Sequence, residues 1–218
     1  GGDFAYILSS NGGGESNGAD IDVSSGNQLY SSLDITSLND GQLTLSVTLT
    51  DAYGNTLNGT DSLSAQITQD TSAPEGSVVF WTPTAEFINA ANADAVSISI
   101  TGDPDEATSF SFTLESAAGG QTDAIAGSLD ANETEIKNNI DTHPTLSDGE
   151  VTIHLNLSDS NGNIAQIQSD SVTKDVVAPA FTNLLPTSSG ATAIKALSFD
   201  VSENLSSATA IFTRTSGA

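Results

Sequence analysis

One passage of the chain occurs twice. Residues 40–55 read DGQLTLSVTLTDAYGN, and residues 148–163 read DGEVTIHLNLSDSNGN, 108 positions later. Each copy continues to a second shared signal, Asp70-Thr-Ser-Ala-Pro74 in the first and Asp175-Val-Val-Ala-Pro179 in the second. Self-similarity at a fixed period is the sequence signature of a tandem array. We therefore expect function to reside in the array and its junctions rather than in one pocket.

The charge of the chain argues against several classes of partner. It has 28 Asp and Glu against 4 Lys and Arg. So acidic a surface repels nucleic-acid phosphates and anionic membranes, whereas it favours divalent cations, high-salt surroundings or both. Membrane insertion is not predicted, because no apolar run approaches the roughly 18 residues of a span, and no signal peptide is visible. Cysteine is absent, so disulfides are excluded, and calcium can take their place in a secreted protein.

Alternating apolar residues predict β-strands along much of the chain. Leu and Val alternate with Ser and Thr in residues 43–50, and a similar period of two recurs in residues 151–158. Many short strands of this kind, separated by turns, predict an all-β sandwich of about seven antiparallel strands. Five strands of one repeat can be placed: A at Ser77–Trp81, B at Ala95–Thr101, C at Thr108–Glu115, F at Val151–Ser158 and G at Ile164–Thr173. One short helix or helical turn is expected in residues 132–140.

The repeat divides the chain unequally. Residues 75–178 are expected to form one complete repeat, residues 1–72 strands C to G of a preceding repeat, and residues 180–218 strands A to C of a following one. The boundaries fall at the two Ala-Pro pairs, where proline predicts a short, stiff link. Two explanations of this permuted order remain open. The chain is either a window from a longer array, or its last strands complete a neighbouring molecule by donor-strand complementation.

The two shared signals together resemble those of a known family. The phrase D-G-x-[LV]-T-[LI]-x-[VL]-x-L-[TS]-D-x-x-G-N, followed by D-x-x-A-P, resembles the bacterial immunoglobulin-like tandem repeats of giant secreted RTX-type and biofilm-associated adhesins. The resemblance covers nearly the whole chain as two periods. It implies a calcium-stiffened extender at the bacterial cell surface, with neighbouring repeats as partners and any glycan or protein target elsewhere in the parent. The chain departs from the family in the long connection at residues 117–147.

Three segments are expected to meet where one repeat follows another. The sandwich topology brings the linker at Asp70 to the B–C loop (residues 102–106) and the F–G loop (residues 159–163) of the next repeat. Calcium requires six to eight oxygen ligands at about 2.3–2.6 Å, from carboxylates, carbonyls and water. No Lys or Arg is near in sequence to balance these carboxylates. We hypothesise a calcium site formed by Asp70, Asp105 or Asp103, Glu106 and Asp159, with Asn163 as a further ligand.

Other parts of the repeat predict only incomplete sites. At the second junction the matching ligands are Asp175 and Glu203, and the first repeat supplies only Asp51 and Asn55. An alternative interpretation of D-x-x-G-N needs no metal. In it the glycine supplies a positive φ, and the Asp and Asn side chains bond local backbone in a turn.

No catalytic arrangement is predicted. The two histidines, His143 and His154, suggest no Ser-His-Asp triad, and one Trp and three Tyr provide few platforms for a sugar-cleaving cleft. Three alternatives to an extender remain open. They are a filament protomer joined head to tail by strand exchange, a carbohydrate- or surface-binding module that uses residues 117–147, and an accessory domain of a hydrolase.

Overall fold

The described part of the chain consists of β-strands and connecting turns. In the computed structural model, the described residues are 1–26, 29–31, 33–61, 67–81, 86–185, 198–211 and 213. They form sixteen strands and no helix. The all-β prediction is therefore confirmed. None of the described segments forms a helix long and apolar enough to cross a membrane.

The strands belong to an N-terminal unit, a central unit and a C-terminal pair. The N-terminal unit contains β1 (Gly2–Ser10), β2 (Glu15–Val23), β3 (Gly41–Thr50), β4 (Thr56–Asp61) and β5 (Thr68–Gln69). The central unit contains β6 (Ser77–Phe80), β7 (Phe87–Asn89), β8 (Val96–Thr101), β9 (Thr108–Ser116), β10 (Ile125–Leu129), β11 (Thr134–Ile140), β12 (Gly149–Ser158), β13 (Ile164–Gln168) and β14 (Val172–Asp175). The C-terminal pair is β15 (Phe181–Leu185) and β16 (Ser198–Val201).

The central unit is a β-sandwich. One sheet has the order β11-β8-β6, and the other has the order β10-β9-β12-β14-β7, with β13 also paired to β12. Ile98 and Ile100 of the first sheet join Phe112, Leu114 and Leu155 of the second in one buried core cluster. The two sheets therefore pack face to face, as alternating apolar strands require. The strands of the central unit pair antiparallel except β7 and β14, which are parallel.

Predicted strands A, B, C and F correspond closely to β6, β8, β9 and β12, whereas predicted strand G is divided into β13 and β14. The division occurs at Ser169, whose hydroxyl accepts a hydrogen bond from the Ile153 N–H at 3.0 Å. At this position the Ser169 hydroxyl takes the place of a backbone carbonyl as acceptor, and the ladder of backbone hydrogen bonds to β12 is interrupted. The alternation of apolar residues is irregular at the same place.

The helical turn predicted for residues 132–140 is wrong, because most of this segment is β11. Asn132 and Asn139 each have a φ of 59°, a left-handed conformation that does not fit inside a right-handed helix. Ile140 is buried, but Ile136 is 41% exposed on the other side of the strand. The spacing of four between these isoleucines is therefore not a helical stripe. Pairing with β8 determines the conformation of the segment.

The long connection at residues 117–147 is part of the sandwich. It supplies β10 and β11, which extend the two sheets at one edge. Leu129, Ile140 and Leu146 from this connection are buried in the core cluster. Its length therefore has a structural explanation, because three of its apolar residues serve the core.

The N-terminal unit is a single sheet with one thinly covered apolar face. Its order is β2-β1-β3-β4, and β5 also pairs with β3. Leu49 in β3 and Leu157 in β12 occupy the same position of the repeat, yet Leu49 is 43% exposed and Leu157 is completely buried. In the central unit, β6 lies over Leu157, since a side chain at Gly76 would touch Leu157. No described strand covers Leu49 in the same way.

The C-terminal pair forms a separate two-stranded sheet. The rings of Phe181 and Phe199 pack edge to face, with 5.2 Å between their centroids, and both side chains remain exposed. Strand C of the following repeat, which the sequence places last in residues 180–218, would fall where residues 212 and 214–218 lie outside the described part of the chain.

Candidate metal centre at the junction

The linker between the N-terminal and central units is bonded on both sides. Residues 70–76 lie between the end of β5 and the start of β6. Asp40 of the N-terminal unit contacts Thr71 and Ser72. The central unit contacts Asp70 and Glu75. Two protein surfaces therefore determine the path of this short segment.

The repeated D-x-x-G-N motif forms the same kind of turn in both units. In the central unit, Asp159 Oδ1 accepts the backbone N–H groups of Asn161, Gly162 and Asn163 at 2.8, 2.7 and 2.9 Å. The Asn163 side chain donates to Asp159 Oδ2 at 2.7 Å, and Gly162 has a φ of 94°. The first copy repeats this turn around Asp51. The motif is thus a turn in both units, whatever else it binds.

Only the second copy of the turn also reaches a linker among the described residues. Asn161 Nδ2 donates to Asp70 Oδ2 at 2.7 Å, and Asn163 Nδ2 donates to the Asp70 carbonyl at 3.2 Å. The residue that corresponds to Asn161 in the first copy is Tyr53, whose side chain is 92% exposed. Asn161 is therefore a junction residue that the repeat itself does not predict.

The B–C loop is shaped by Asp103, which is buried. Its Oδ2 accepts the Glu75 N–H at 2.6 Å, and its Oδ1 accepts the N–H groups of Asp105 and Glu106 at 2.8 and 3.2 Å. The bond from Glu75, followed by that from Asp105, lowers the pKa of Asp103. Asp103 therefore stays ionised, connects the loop to the linker and holds Glu106 beside the linker.

Three carboxylates converge at this junction. Asp70 of the linker, Glu106 of the B–C loop and Asp159 of the F–G turn each place one oxygen within 4.8 Å of the other two. Asp70 and Glu106 are half-buried, and Asp159 is 8% exposed. In the described part of the chain, no ion pair with Lys or His includes any of the three. Three negative groups thus share a confined space without a protein cation.

The electrostatics of the cluster favour a bound cation. Desolvation by burial, then the charges of Asp159, Asp103 and Asp70, raises the pKa of Glu106. Burial also acts to raise the pKa of Asp159, but the hydrogen bonds of its turn, led by Asn163, outweigh it and lower this pKa. The protein therefore keeps Asp159 ionised and disfavours the charge on Glu106. A divalent cation would supply the positive charge that favours the ionised form of Glu106.

The donor set fits calcium better than a softer metal. It consists of the carboxylate oxygens of Asp70, Glu106 and Asp159, and it contains no thiolate or imidazole. Hard cations such as Ca²⁺ prefer this oxygen chemistry. Asp70, Glu106 and Asp159 are the residues that would hold the ion, and water and carbonyl oxygens would complete its coordination.

Other predicted ligands lie outside this cluster. Asp103 uses both oxygens on backbone N–H groups, Asp105 is exposed, and Asn163 presents its Nδ2 donor to Asp159 and Asp70. At the second junction, Asp175 is exposed and Glu203 is half-buried. Asp51 and Asn55 are exposed and bond each other. None of the other predicted carboxylates joins the group of three found in the described part of the chain, whereas Asn163 contacts two members of that group as a donor.

Solved structures similar to this chain come from large bacterial adhesins, the class that the repeated motif resembles. A tetra-tandem repeat in the extending region of a large adhesion protein has a TM-score of 0.42 and 23% identity, over 83% of this chain and 43% of that one. A Ca²⁺-stabilised adhesin that helps an Antarctic bacterium reach out and bind ice has a TM-score of 0.41 and 24% identity, over 83% of this chain and 43% of that one. A 1.5-MDa bacterial ice-binding adhesin has a TM-score of 0.43 and 24% identity, over 81% of this chain and 54% of that one.

The chain therefore spans about half the length of these structures. No protein-family model matches the sequence, and no curated protein matches it either.

Proposed function

We propose that this chain is a structural extender segment of a secreted bacterial cell-surface adhesin, stiffened by calcium at the junctions between its β-sandwich repeats. Its role is mechanical and not catalytic, because it holds a distal adhesive domain away from the cell. Its direct partners are the adjacent repeats of the same chain. The repeated D-x-x-G-N and D-x-x-A-P signals and the acidic composition support this proposal.

The observation that carries the proposal is the convergence of Asp70, Glu106 and Asp159. These carboxylates belong to a linker and to two loops of the following unit, so they come together only when the junction is assembled. A ligand that binds the assembled junction and not the separated parts stabilises the assembled state by linkage. A cation here would therefore convert a hinge into a rigid connection.

The strength of this effect follows from the usual affinities. Extracellular calcium modules bind with a Kd of about 10⁻⁴–10⁻³ M. With free calcium at 100 times the Kd, linkage contributes about 2.7 kcal/mol per site. That energy shifts the equilibrium between the open and the closed junction about a hundredfold towards the closed state.

Residual dipolar couplings measured on the chain test this proposal, since they report how two units are oriented. With calcium, the N-terminal sheet and the central sandwich should share one alignment tensor. After excess chelator, the tensors should differ in magnitude, because the units reorient. The Glu106→Gln variant should behave in calcium as the wild type does in chelator. Independent tensors in the calcium-loaded wild type, or one shared tensor in both states, would contradict calcium stiffening.

A second candidate, a head-to-tail filament, is favoured by the exposed apolar side chains of the two outer units. The sheet of the N-terminal unit leaves Leu49 43% exposed. In the C-terminal pair, Phe199 and Val201 are 38% and 40% exposed. They have the spacing of Ile98 and Ile100, which are fully buried in β8 of the central unit. The C-terminal pair of one molecule would thus cover the N-terminal sheet of the next.

Sedimentation velocity distinguishes the two candidates. Strand exchange predicts oligomers that persist on dilution and are lost in a Phe199→Asp variant, and an exposed Val177→Asp variant outside the strands serves as control. A chain that remains an extended monomer at every concentration would contradict the filament and would agree with the extender.

A further inference from the structure

We propose that Asp40, the first residue of the repeated Asp-Gly pair, is the positioning residue of the junction. It holds the linker against the N-terminal unit so that Asp70 meets the loops of the central unit. We call its contacts with Thr71 and Ser72 the Asp40 clamp. The calcium part of this proposal rests on the proposed function, whereas the clamp itself is made only by protein groups.

The Asp40 clamp consists of three short hydrogen bonds to one carboxylate. Thr71 donates to Asp40 Oδ1 from both its N–H and its hydroxyl, each at 2.8 Å. The Ser72 hydroxyl donates to Asp40 Oδ2 at 2.6 Å. Hydrogen bonds to an ionised acceptor are the stronger kind. Two consecutive linker residues are therefore fixed to the N-terminal unit.

The clamp determines where the Asp70 side chain points. β5 ends at Gln69, so Asp70 lies between a paired strand and the clamped residues. The Ser72 N–H also donates to Asp70 Oδ1 at 3.1 Å. The other oxygen, Asp70 Oδ2, accepts from Asn161 of the central unit. The N-terminal unit thus prepares the carboxylate that the central unit then contacts.

The second residue of the pair, Gly41, allows Asp40 to take this position. Its φ is 146°, a conformation that L side chains rarely adopt. A side chain on Gly41 would also collide with that of Asn11, whose Oδ1 accepts the Gln42 N–H at 2.9 Å. The dipeptide therefore combines a backbone bend at the start of β3 with a carboxylate that binds the linker.

The second copy of the Asp-Gly pair makes a corresponding contact. The backbone N–H of Val176 lowers the pKa of Asp148, and Val176 follows Asp175 as Thr71 follows Asp70. Lys174 also donates to Asp148 Oδ1 at 2.8 Å, in place of the linker hydroxyls of the first copy. In both copies the carboxylate of the Asp-Gly pair thus lies beside the residue that follows the linker aspartate, as expected if holding the linker is a property of the repeated motif.

Calorimetric calcium titrations and hydrogen exchange test this proposal on the full chain. In Asp40→Ala the calcium Kd should rise about tenfold, the equivalent of about 1.4 kcal/mol, and exchange of the Thr71 amide in chelator should accelerate by a similar factor. Asp40→Asn keeps one acceptor oxygen, so its calcium Kd and the exchange rate of its Thr71 amide should stay close to the wild-type values. Glu150→Gln is the matched control, because Glu150 also accepts hydroxyls at 2.8 Å, from Ser171 and Thr173, but away from this linker.

A variant of the linker residues tests the same contacts in case the Asp40 variants do not fold. Thr71→Val with Ser72→Ala removes both hydroxyl donors without altering the Asp-Gly bend, and its Kd and amide exchange should change in the direction of Asp40→Ala. Unchanged exchange of the linker amides in chelator would overturn the clamp. A wild type that binds no calcium would overturn the metal site instead, and the exchange measurement would still decide the clamp.

Discussion

Asn161 Nδ2 donates a 2.7 Å hydrogen bond to Asp70 Oδ2, which joins a turn of the central unit to a linker residue 91 positions earlier. Asp159, which builds that turn, is itself one of the three converging carboxylates. The turn therefore has two effects at once, since it presents a carboxylate and it binds the linker through an amide. These hydrogen bonds define where the linker lies in the closed junction, and a bound cation would keep the junction closed.

Replacing Asn161 should loosen the linker. Asn161→Ala removes a bond to a charged acceptor, which is worth about 1.5–3 kcal/mol in net terms. Exchange of the Ser72 amide should therefore accelerate about tenfold in chelator. Ser160→Ala, at the exposed neighbouring position of the same turn, should leave exchange unchanged. Equal behaviour of the two variants would show that the Asn161 bond does not hold the linker.

Two glycines provide a matched pair for the role of the turn. Gly54 and Gly162 have φ values of 85° and 94°, and nothing lies within 4 Å of an added Cβ at either one. Alanine should therefore cost about 1 kcal/mol at both, through backbone strain alone. Only Gly162→Ala should weaken calcium binding by calorimetry, because only its turn carries Asp159. Similar loss in Gly54→Ala would place the calcium site elsewhere.

Much of the fold was predictable because strand burial follows a local pattern. The alternation around Leu155 identifies β12. The two Ala-Pro pairs lie between β5 and β6 and between β14 and β15, and the domain boundaries predicted there stay a prediction. β7 was not predictable, since Phe87–Asn89 is three residues long and pairs in parallel with β14, far along the chain. β11 was misread because the pairing of a strand outweighs a weak spacing of four.

The candidate site was predictable in its location but not in its membership. The order of strands indicates that linker, B–C loop and F–G loop meet, and Asp70, Glu106 and Asp159 are brought together as this predicts. The path of the linker determines which aspartate of the B–C loop accepts hydrogen bonds from backbone N–H groups. Asp103 does so because the linker brings the Glu75 N–H to it. The part of Asn161 was also not predictable, because the first copy has tyrosine at that position.

Leu157 and Leu49 test the difference between a covered and an uncovered sheet. They share one repeat position, but Leu157 is fully buried and Leu49 is 43% exposed. Leu157→Ala should cost about 3 kcal/mol through a core cavity, and Leu49→Ala less than about 1 kcal/mol. Native-state hydrogen exchange of β12 and β3 amides measures each cost locally. Equal costs would contradict the uncovered face of the N-terminal sheet.

Replacing Asp148 should destabilise the protein, because its carboxylate neutralises the charge of Lys174. The Lys174 side chain is 2% exposed and that of Asp148 is 30% exposed, so Asp148→Asn leaves a buried charge unpaired. The expected loss is about 2 kcal/mol, less than for a fully buried pair. Urea unfolding followed by Trp81 fluorescence measures it, and adding Lys174→Met should recover most of the loss.

The same pair has a defined pH dependence. The Lys174 bond lowers the pKa of Asp148 below its usual value of 3.8. This contribution to stability is therefore fully present above pH 3.8 and is lost as the pH falls through the lower pKa of the folded state. The stability difference between wild type and Asp148→Asn should shrink in that acidic range. A difference that stays constant there would contradict the ion pair.

The most direct test of the account is calorimetric calcium titration of the wild type and Glu106→Gln side by side. Glu106 contributes a carboxylate oxygen to the cluster, while its backbone N–H, which bonds Asp103, is unaffected by the change. The account predicts that the wild type binds calcium and that Glu106→Gln loses one site, or binds it at least tenfold more weakly. Identical titrations of the two proteins, or no binding by the wild type, would contradict the calcium junction.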